Sequence, residues 1–187
     1  MTKRVFIIHG WGGYPQECWF PWLKQELEQK GYVVHILAMP HTNHPTMEEW
    51  IPFLAGSVGT PDLETFLIGH SIGCQTILRY LETVKVQVGG IILVAGFVHL
   101  TTLDENESPE IAKPWLKAPL HWEKIKAHTK NTVAIFSDDD QWVPVGDAQI
   151  FKEKLGAKII VEKKQGHFTD MIEFPLVVRE LEKMDKR

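Results

Sequence analysis

Six short apolar runs punctuate the chain, at residues 5–8, 32–37, 65–68, 91–95, 133–136 and 158–161. Most are continuous rather than alternating. A strand with one wet face alternates apolar and polar residues; a strand covered on both faces reads as an unbroken run. Each run is followed by turn residues and then by apolar residues at helical spacing, which supplies crossovers between parallel strands. The prediction is therefore α/β: a three-layer α/β/α sandwich of about six parallel strands. At 187 residues, 44% of them hydrophobic, such a chain has material for one core, so residues 1–187 are expected to form a single domain.

The intervening segments predict particular helices. One runs from near Pro21 to a stop at Gly31, with Leu23 and Leu27 toward the sheet and a Glu26–Lys30 pair on the wet side. A second starts at Thr46, with Glu49 completing a capping box, and is kinked by Pro52. A third starts at Ile72. Residues 97–131 read as a long irregular connection that contains Asp104-Glu105-Asn106-Glu107 and one short helical pattern at 122–127; connections of this length are often lids or binding loops. Helices near 145–155 and 169–183 follow, and residues 183–187 are expected to fray.

The third run leads directly into Gly69-His70-Ser71-Ile72-Gly73. With 14 Gly and four Ser in 187 residues, chance would produce G-x-S-x-G about 0.02 times. Between a strand and a helix this pattern is a nucleophile elbow: a turn sharp enough to strain the serine, flanked by residues without side chains. It presents the hydroxyl at a helix N-terminus, where free N–H groups and the dipole stabilise an oxyanion. A serine needs a base, and the base needs an orienting group. Both types of residue follow in order. The fifth run ends in Ser137-Asp138-Asp139-Asp140, and the sixth is followed by Gly166-His167-Phe168. All lie beyond carboxyl ends of strands, where open parallel sheets bind ligands. If the strand order is 2-1-3-4-5-6, the loop after the first strand, His9-Gly10-Trp11-Gly12-Gly13, lies across the topological switch from the elbow. It is expected to add the N–H of Trp11 to that of Ile72 as oxyanion donors. Trp11, Trp142 and Phe168 are candidate walls of a substrate pocket.

Other readings of these residues are weaker. G-x-G-x-x-G would need Gly at position 15, where Pro15 stands, so the first loop is not a dinucleotide cradle. His41 and His44 lack further ligands at metal spacing, and no metal or cofactor is expected. His70 lines the elbow or packs locally, and Cys74 reads as a small buried apolar residue. A net charge of -4 without a basic cluster argues against nucleic acid. No run reaches membrane-spanning length. Cys18 and Cys74 form no C-x-x-C pair and suggest a reducing, cytoplasmic setting.

With these residues in place, the chain resembles the α/β-hydrolase fold and, more narrowly, the small, capless serine hydrolases of the retinoblastoma-binding protein 9 type. The likeness rests on Ile68-Gly69-His70-Ser71, Gly90-Ile91-Ile92-Leu93-Val94, Asp104-Glu105-Asn106-Glu107, Trp122-Glu123-Lys124-Ile125-Lys126, the Asp-Asp-x-x-x-Pro stretch ending at Pro144, and Gly166-His167-Phe168. It implies a Ser–Asp–His triad on a shortened sheet lacking the first two strands of larger relatives, acting on a small ester or related acyl substrate without a cofactor. The matching aspartate is Asp140, four residues before the proline and 27 before His167. The additional Asp138 departs from the family pattern, and Asp139 remains the rival acid. The resemblance also raises a protein-binding role, but the L-x-C-x-E context associated with it is absent around Cys18 and Cys74.

Overall fold

The computed structural model describes residues 2–101, 109–129 and 131–186. The described residues contain six strands: β1 (Arg4–Ile8), β2 (Val33–Leu37), β3 (Thr65–His70), β4 (Gly90–Val94), β5 (Thr132–Ser137) and β6 (Lys158–Glu162). They also contain seven helices: α1 (Phe20–Gln29), α2 (Met47–Val58), α3 (Ile72–Leu81), α4 (Pro109–Lys117), α5 (Trp122–His128), α6 (Asp147–Leu155) and α7 (Pro175–Asp185). The strands form one sheet in the order β2-β1-β3-β4-β5-β6, and every neighbouring pair is parallel. The expected fold class and strand order are those observed.

Right-handed crossovers then dictate the layers. The chain steps one way from β1 to β2 and the other way for every later strand. α1 is therefore left on one face, where α7 joins it, and α2, α3, α5 and α6 cover the other; α1 packs on α7, and α3 packs on both α2 and α5. β3, β4 and β5 are buried along their whole length, which is why their sequences are unbroken apolar runs. The edge strands are half wet, with Val33 and Val161 exposed, and they carry His35, Lys158 and Glu162. The sheet therefore converges on β1 and β3, whose register pairs Ile8 with Gly69. The loops that leave these two strands start side by side.

Several local expectations need correction. Lys30 pairs with Glu182 of α7 at 3.1 Å rather than with Glu26, and the i,i+4 pair on α1 is Lys24–Glu28. Thr46 is the extended N-cap of α2, but its hydroxyl bonds the Glu49 side chain at 3.3 Å instead of a backbone N–H, so the capping box is not closed. α2 continues through Pro52. Among the described residues, the region 97–131 holds two helices, not one. α4 was hidden by Pro109 and Pro114, which break the helical reading yet sit at its first position and inside it. Asp104–Glu107 of the same region lies outside the described residues. The last helix starts at Pro175 rather than at 169, and it does not fray at 183. Met184 is buried, and the Asp185 carboxylate accepts from Lys3 Nζ at 2.7 Å and Tyr32 Oη at 2.8 Å. No helix is long and apolar enough to cross a membrane among the described residues.

Candidate active site

Ser71 stands at the corner between β3 and α3 with φ 53° and ψ −121°. A side-chain-bearing residue held there stores roughly 1–3 kcal/mol of backbone strain. The surroundings enforce the turn: Ser71 N–H donates to Val94 O at 2.9 Å, and Cys74 N–H donates back to Ser71 O at 2.9 Å. A Cβ on Gly69 would approach Cys74 N and Ile77 Cδ1 to 2.8 Å, and one on Gly73 would run into the carbonyl oxygens of Ile8 and His9. The two glycines thus let α3 start directly on the strand ends. Ile72 is the first residue of α3, so its N–H has no intrahelical acceptor.

On the far side of the sheet, the loops after β5 and β6 meet. His167 Nδ1 and Asp140 Oδ2 are 2.8 Å apart, with both side chains almost fully buried. The other Asp140 oxygen accepts from the N–H groups of Trp142 and Val143, at 2.9 and 3.0 Å. An acceptor-only carboxylate on Nδ1 makes that nitrogen the N–H and leaves Nε2 as the basic atom. The Trp142 ring stands edge-on to the imidazole at 4.9 Å.

Ser71 and His167 line one cavity of about 160 Å³, the size of a space that holds a single aromatic ring. Its apolar wall comes from Trp11, Ile72, Phe97, Leu100 and Trp142. The Trp11 loop is itself pinned. Gly12 N–H donates to Thr42 O at 2.8 Å and Trp11 Nε1 to Asn43 O at 3.0 Å. The buried His9 ring bridges Gly10 O at 2.8 Å and Met39 N–H at 3.2 Å. Burial holds the His9 pKa below its ordinary value.

The serine hydrolase family matches residues 5–175. The chain belongs to the serine hydrolase family. It is similar to the hydrolase YdeN of Bacillus subtilis, 36% identical over 173 residues that make up 91% of this chain and 88% of that protein. It is also similar to serine hydrolase RBBP9 of Rattus norvegicus, 31% identical over 185 residues, 98% of this chain and 95% of that protein. The crystal structure of the B. subtilis ydeN gene product covers 100% of both chains with a TM-score of 0.92 at 33% identity. A carboxylesterase structure from Nitrososphaera gargenis shares the fold, with a TM-score of 0.73 at 17% identity over 99% of this chain and 92% of that one.

Within this serine hydrolase the three consecutive aspartates do different things. Asp139 Oδ1 accepts from Ser137 Oγ at 2.7 Å and from Gly166 N–H at 2.9 Å, bonds that hold its carboxyl below the usual pKa. Asp138 Oδ1 accepts from Lys164 N–H at 2.9 Å, and Ser137 Oγ accepts from Gln165 N–H at 3.0 Å. None of the three is merely solvated. Asp138 and Asp139 tie the β5 loop to the β6 loop, and Asp140 alone reaches the ring.

His70 is completely buried, and its Nε2 lies 2.7 Å from the carbonyl oxygen of His167. Burial, reinforced by the neighbouring His167 ring, pushes its pKa down to about 3. The neutral ring therefore donates from Nε2 and props the backbone of His167. Cys74 is buried, with its thiol on Val94 O at 3.3 Å. His41 pairs with Glu49 at 2.9 Å.

Phe168 is the wall residue that sequence reading misplaced. It does not line the cavity; it is fully buried and stacks on Phe174 at 5.4 Å between ring centres. Positive φ values at Gly166 and Phe168 turn the loop so that His167 and Phe168 face opposite ways. Conversely, Glu17, Phe97, Leu100, Ala112 and Thr169 line the cavity without having been singled out. Glu17, Phe97, Leu100 and Thr169 lie in loops beyond carboxyl ends of strands, and Ala112 lies in α4.

Proposed function

We propose that this serine hydrolase cleaves small esters through an acyl-enzyme formed on Ser71. In this reading Ser71 Oγ attacks the acyl carbon while His167 Nε2 takes its proton. The Asp140 carboxylate fixes the Nδ1–H tautomer and stabilises the imidazolium. The N–H groups of Ile72 and Trp11 receive the oxyanion, each contributing about 3 kcal/mol to transition-state stabilisation. The imidazolium then protonates the leaving alkoxide. A water molecule, deprotonated by the same ring, attacks the acyl carbon, and collapse of the second tetrahedral intermediate returns the proton to Ser71 and releases the acid.

The observation that carries this reading is the buried Asp140–His167 hydrogen bond beside a cavity that Ser71 also lines. A cavity of about 160 Å³ supports small acyl groups, with Trp11 and Trp142 as walls. Residues 1–187 act as one domain in this account, because the first and last loops contribute to the same site. The free thiols of Cys18 and Cys74 support a cytoplasmic setting.

A fluorophosphonate probe is expected to label Ser71. Ser71→Ala should abolish both labelling and p-nitrophenyl acetate turnover. Turnover at the wild-type rate in that variant would rule the mechanism out.

A further inference from the structure

Glu17 is the one carboxylate among the described residues that line the cavity. It is carried on the turn between β1 and α1, where Glu17 N–H donates to Tyr14 O at 3.2 Å and Phe20 N–H donates to Glu17 O at 3.3 Å. Its side chain lies over Gly13, so closely that a Cβ added at 13 would collide with Oε1 and come to 3.0 Å from His9 Nδ1. The acid is thus pressed against the loop that bears Trp11. It is half-buried, and desolvation raises its pKa above the ordinary 4.5. Among the described residues, a backbone group at Tyr14 lowers its pKa against this desolvation. No Lys or Arg forms an ion pair with it among the described residues, and residues 102–108 contain neither.

A half-buried carboxylate without a cation loses hydration and gains little in return. Here it carries a second cost. Lining the same cavity as Ser71, its charge repels the developing oxyanion. A cationic group on the substrate removes both penalties. Of the nearby rings, His70 and His9 are held toward the neutral form by burial, and His167 is paired with Asp140.

We propose that Glu17 is a specificity-determining residue that selects substrates bearing an ammonium group close to the scissile carbonyl. The ammonium donates to the Glu17 carboxylate while the carbonyl oxygen faces the Trp11 and Ile72 N–H groups. The group can sit on the acyl side, as in an amino-acid ester, or on the alcohol side, as in an aminoalkyl ester. This inference rests on the ester-hydrolase reading above.

Two isosteric ester pairs test it with the purified full chain. Alanine phenyl ester against phenyl isobutyrate places the charge on the acyl side. Dimethylaminoethyl propionate against isopentyl propionate places it on the alcohol side. The quantity read is the charged-to-neutral ratio of kcat/KM in wild type divided by that in Glu17→Gln. The comparison between proteins cancels the intrinsic reactivity of each ester, and partial loss of fold lowers both members of a pair alike. In at least one pair the ratio is expected to fall about tenfold or more in Glu17→Gln, as for loss of a hydrogen bond between charged groups. Glu17→Asp, which keeps the charge, should recover part of it. The pair that responds identifies the side that carries the ammonium. A change below about threefold in both pairs overturns the inference while Ser71-dependent turnover of the neutral esters leaves the hydrolase reading intact. Absence of wild-type turnover on all four esters takes both down.

Discussion

The two sides of the cavity are held in different ways. On the His167 side, the loops after β5 and β6 are laced directly to each other: Ser137, Asp138, Asp139 and Asp140 all bond across to residues 164–167. On the Phe97 side, the segment after β4 is hung from outside. Asp147, at the start of α6 and buried, accepts from Val98 N–H at 2.6 Å, His99 N–H at 2.8 Å and His99 Nδ1 at 2.7 Å. Gln75 of α3 donates to Phe97 O at 2.6 Å. Thr101 N–H closes the far end on Trp142 O at 2.8 Å. The chemistry-bearing side is cross-braced by several neighbouring ties, each replaceable in part by the others. The apolar wall depends on one carboxylate for two consecutive backbone groups. Loss of one tie should therefore be tolerated on the first side unless the tie is Asp140, and felt as altered substrate fit on the second.

Asp140→Asn breaks this comparison most severely. An amide there offers a donor to Nδ1 and favours the wrong tautomer, leaving Nε2 protonated. Turnover of p-nitrophenyl acetate should fall by about 10³–10⁴, while the folded structure persists because Trp142 and Val143 keep an oxygen acceptor. A loss smaller than that of Asp139→Asn would transfer the role to Asp139.

Acid should attack the braced side through a tie that no single carboxylate supplies. Burial holds the His70 ring neutral where it donates to the carbonyl of His167, and its folded pKa is about 3 against an ordinary 6.5. Between those values the unfolded chain binds a proton that the folded chain refuses, so stability falls as pH drops below 6.5. From pH 7 to 5 the loss attributable to His70 is about 2 kcal/mol, with His9 adding in the same direction. Urea unfolding at the two pH values measures it. His70→Asn, which retains a donor for His167 O, should remove about 2 kcal/mol of that pH dependence; an unchanged dependence would assign the acid sensitivity elsewhere.

What a reader of the sequence could see follows the same division. The elbow, the aspartate run and the Gly166-His167 turn are contiguous motifs next to apolar runs, so strand ends, order and convergence were legible together. The wall was not. Gln75 and Asp147 lie 22 and 50 residues from Phe97 in the chain, inside helices whose periodicity gives no reason to single out a polar residue. Glu17 was hidden for a similar reason: its place in the cavity comes from how the turn after Gly13 folds back, not from a spacing. Phe168 shows the converse error. Adjacency to His167 suggested a shared cavity, but two positive-φ residues send the neighbouring side chains opposite ways. The C-terminal residues looked like a polar fray because Met184 packs beside Gly90 of β4 and Asp185 bonds Lys3 and Tyr32, all far away in the sequence.

Asp147→Ala sharpens the contrast on the wall side. Two backbone N–H groups and one imidazole nitrogen lose their acceptor at once, so Phe97 and Leu100 should no longer hold a fixed surface. KM for an aryl ester is expected to rise about tenfold while the maximal rate of fluorophosphonate labelling at Ser71 changes little, since the braced side is untouched. Asp147→Asn, which keeps one acceptor oxygen, should recover part of the KM effect. Equal losses in labelling and in KM would mean that the wall and the braced loops move as one body.

Asp139→Asn is expected to have the smallest effect. Ser137 Oγ and Gly166 N–H can both still donate to the amide oxygen, and Asp138–Lys164 and Asp140–His167 continue to join the loops. An exposed replacement that keeps both acceptor bonds should lower kcat/KM by roughly threefold or less. Combining Asp139→Ala with Asp138→Ala removes both flanking ties and leaves Asp140 as the one aspartate of the three still holding the β6 loop. If the ties substitute for one another, the double variant loses more than the sum of the singles in free energy. If the losses add, each aspartate is an independent strut, and the difference between the two sides of the cavity reduces to the number of bonds rather than their redundancy.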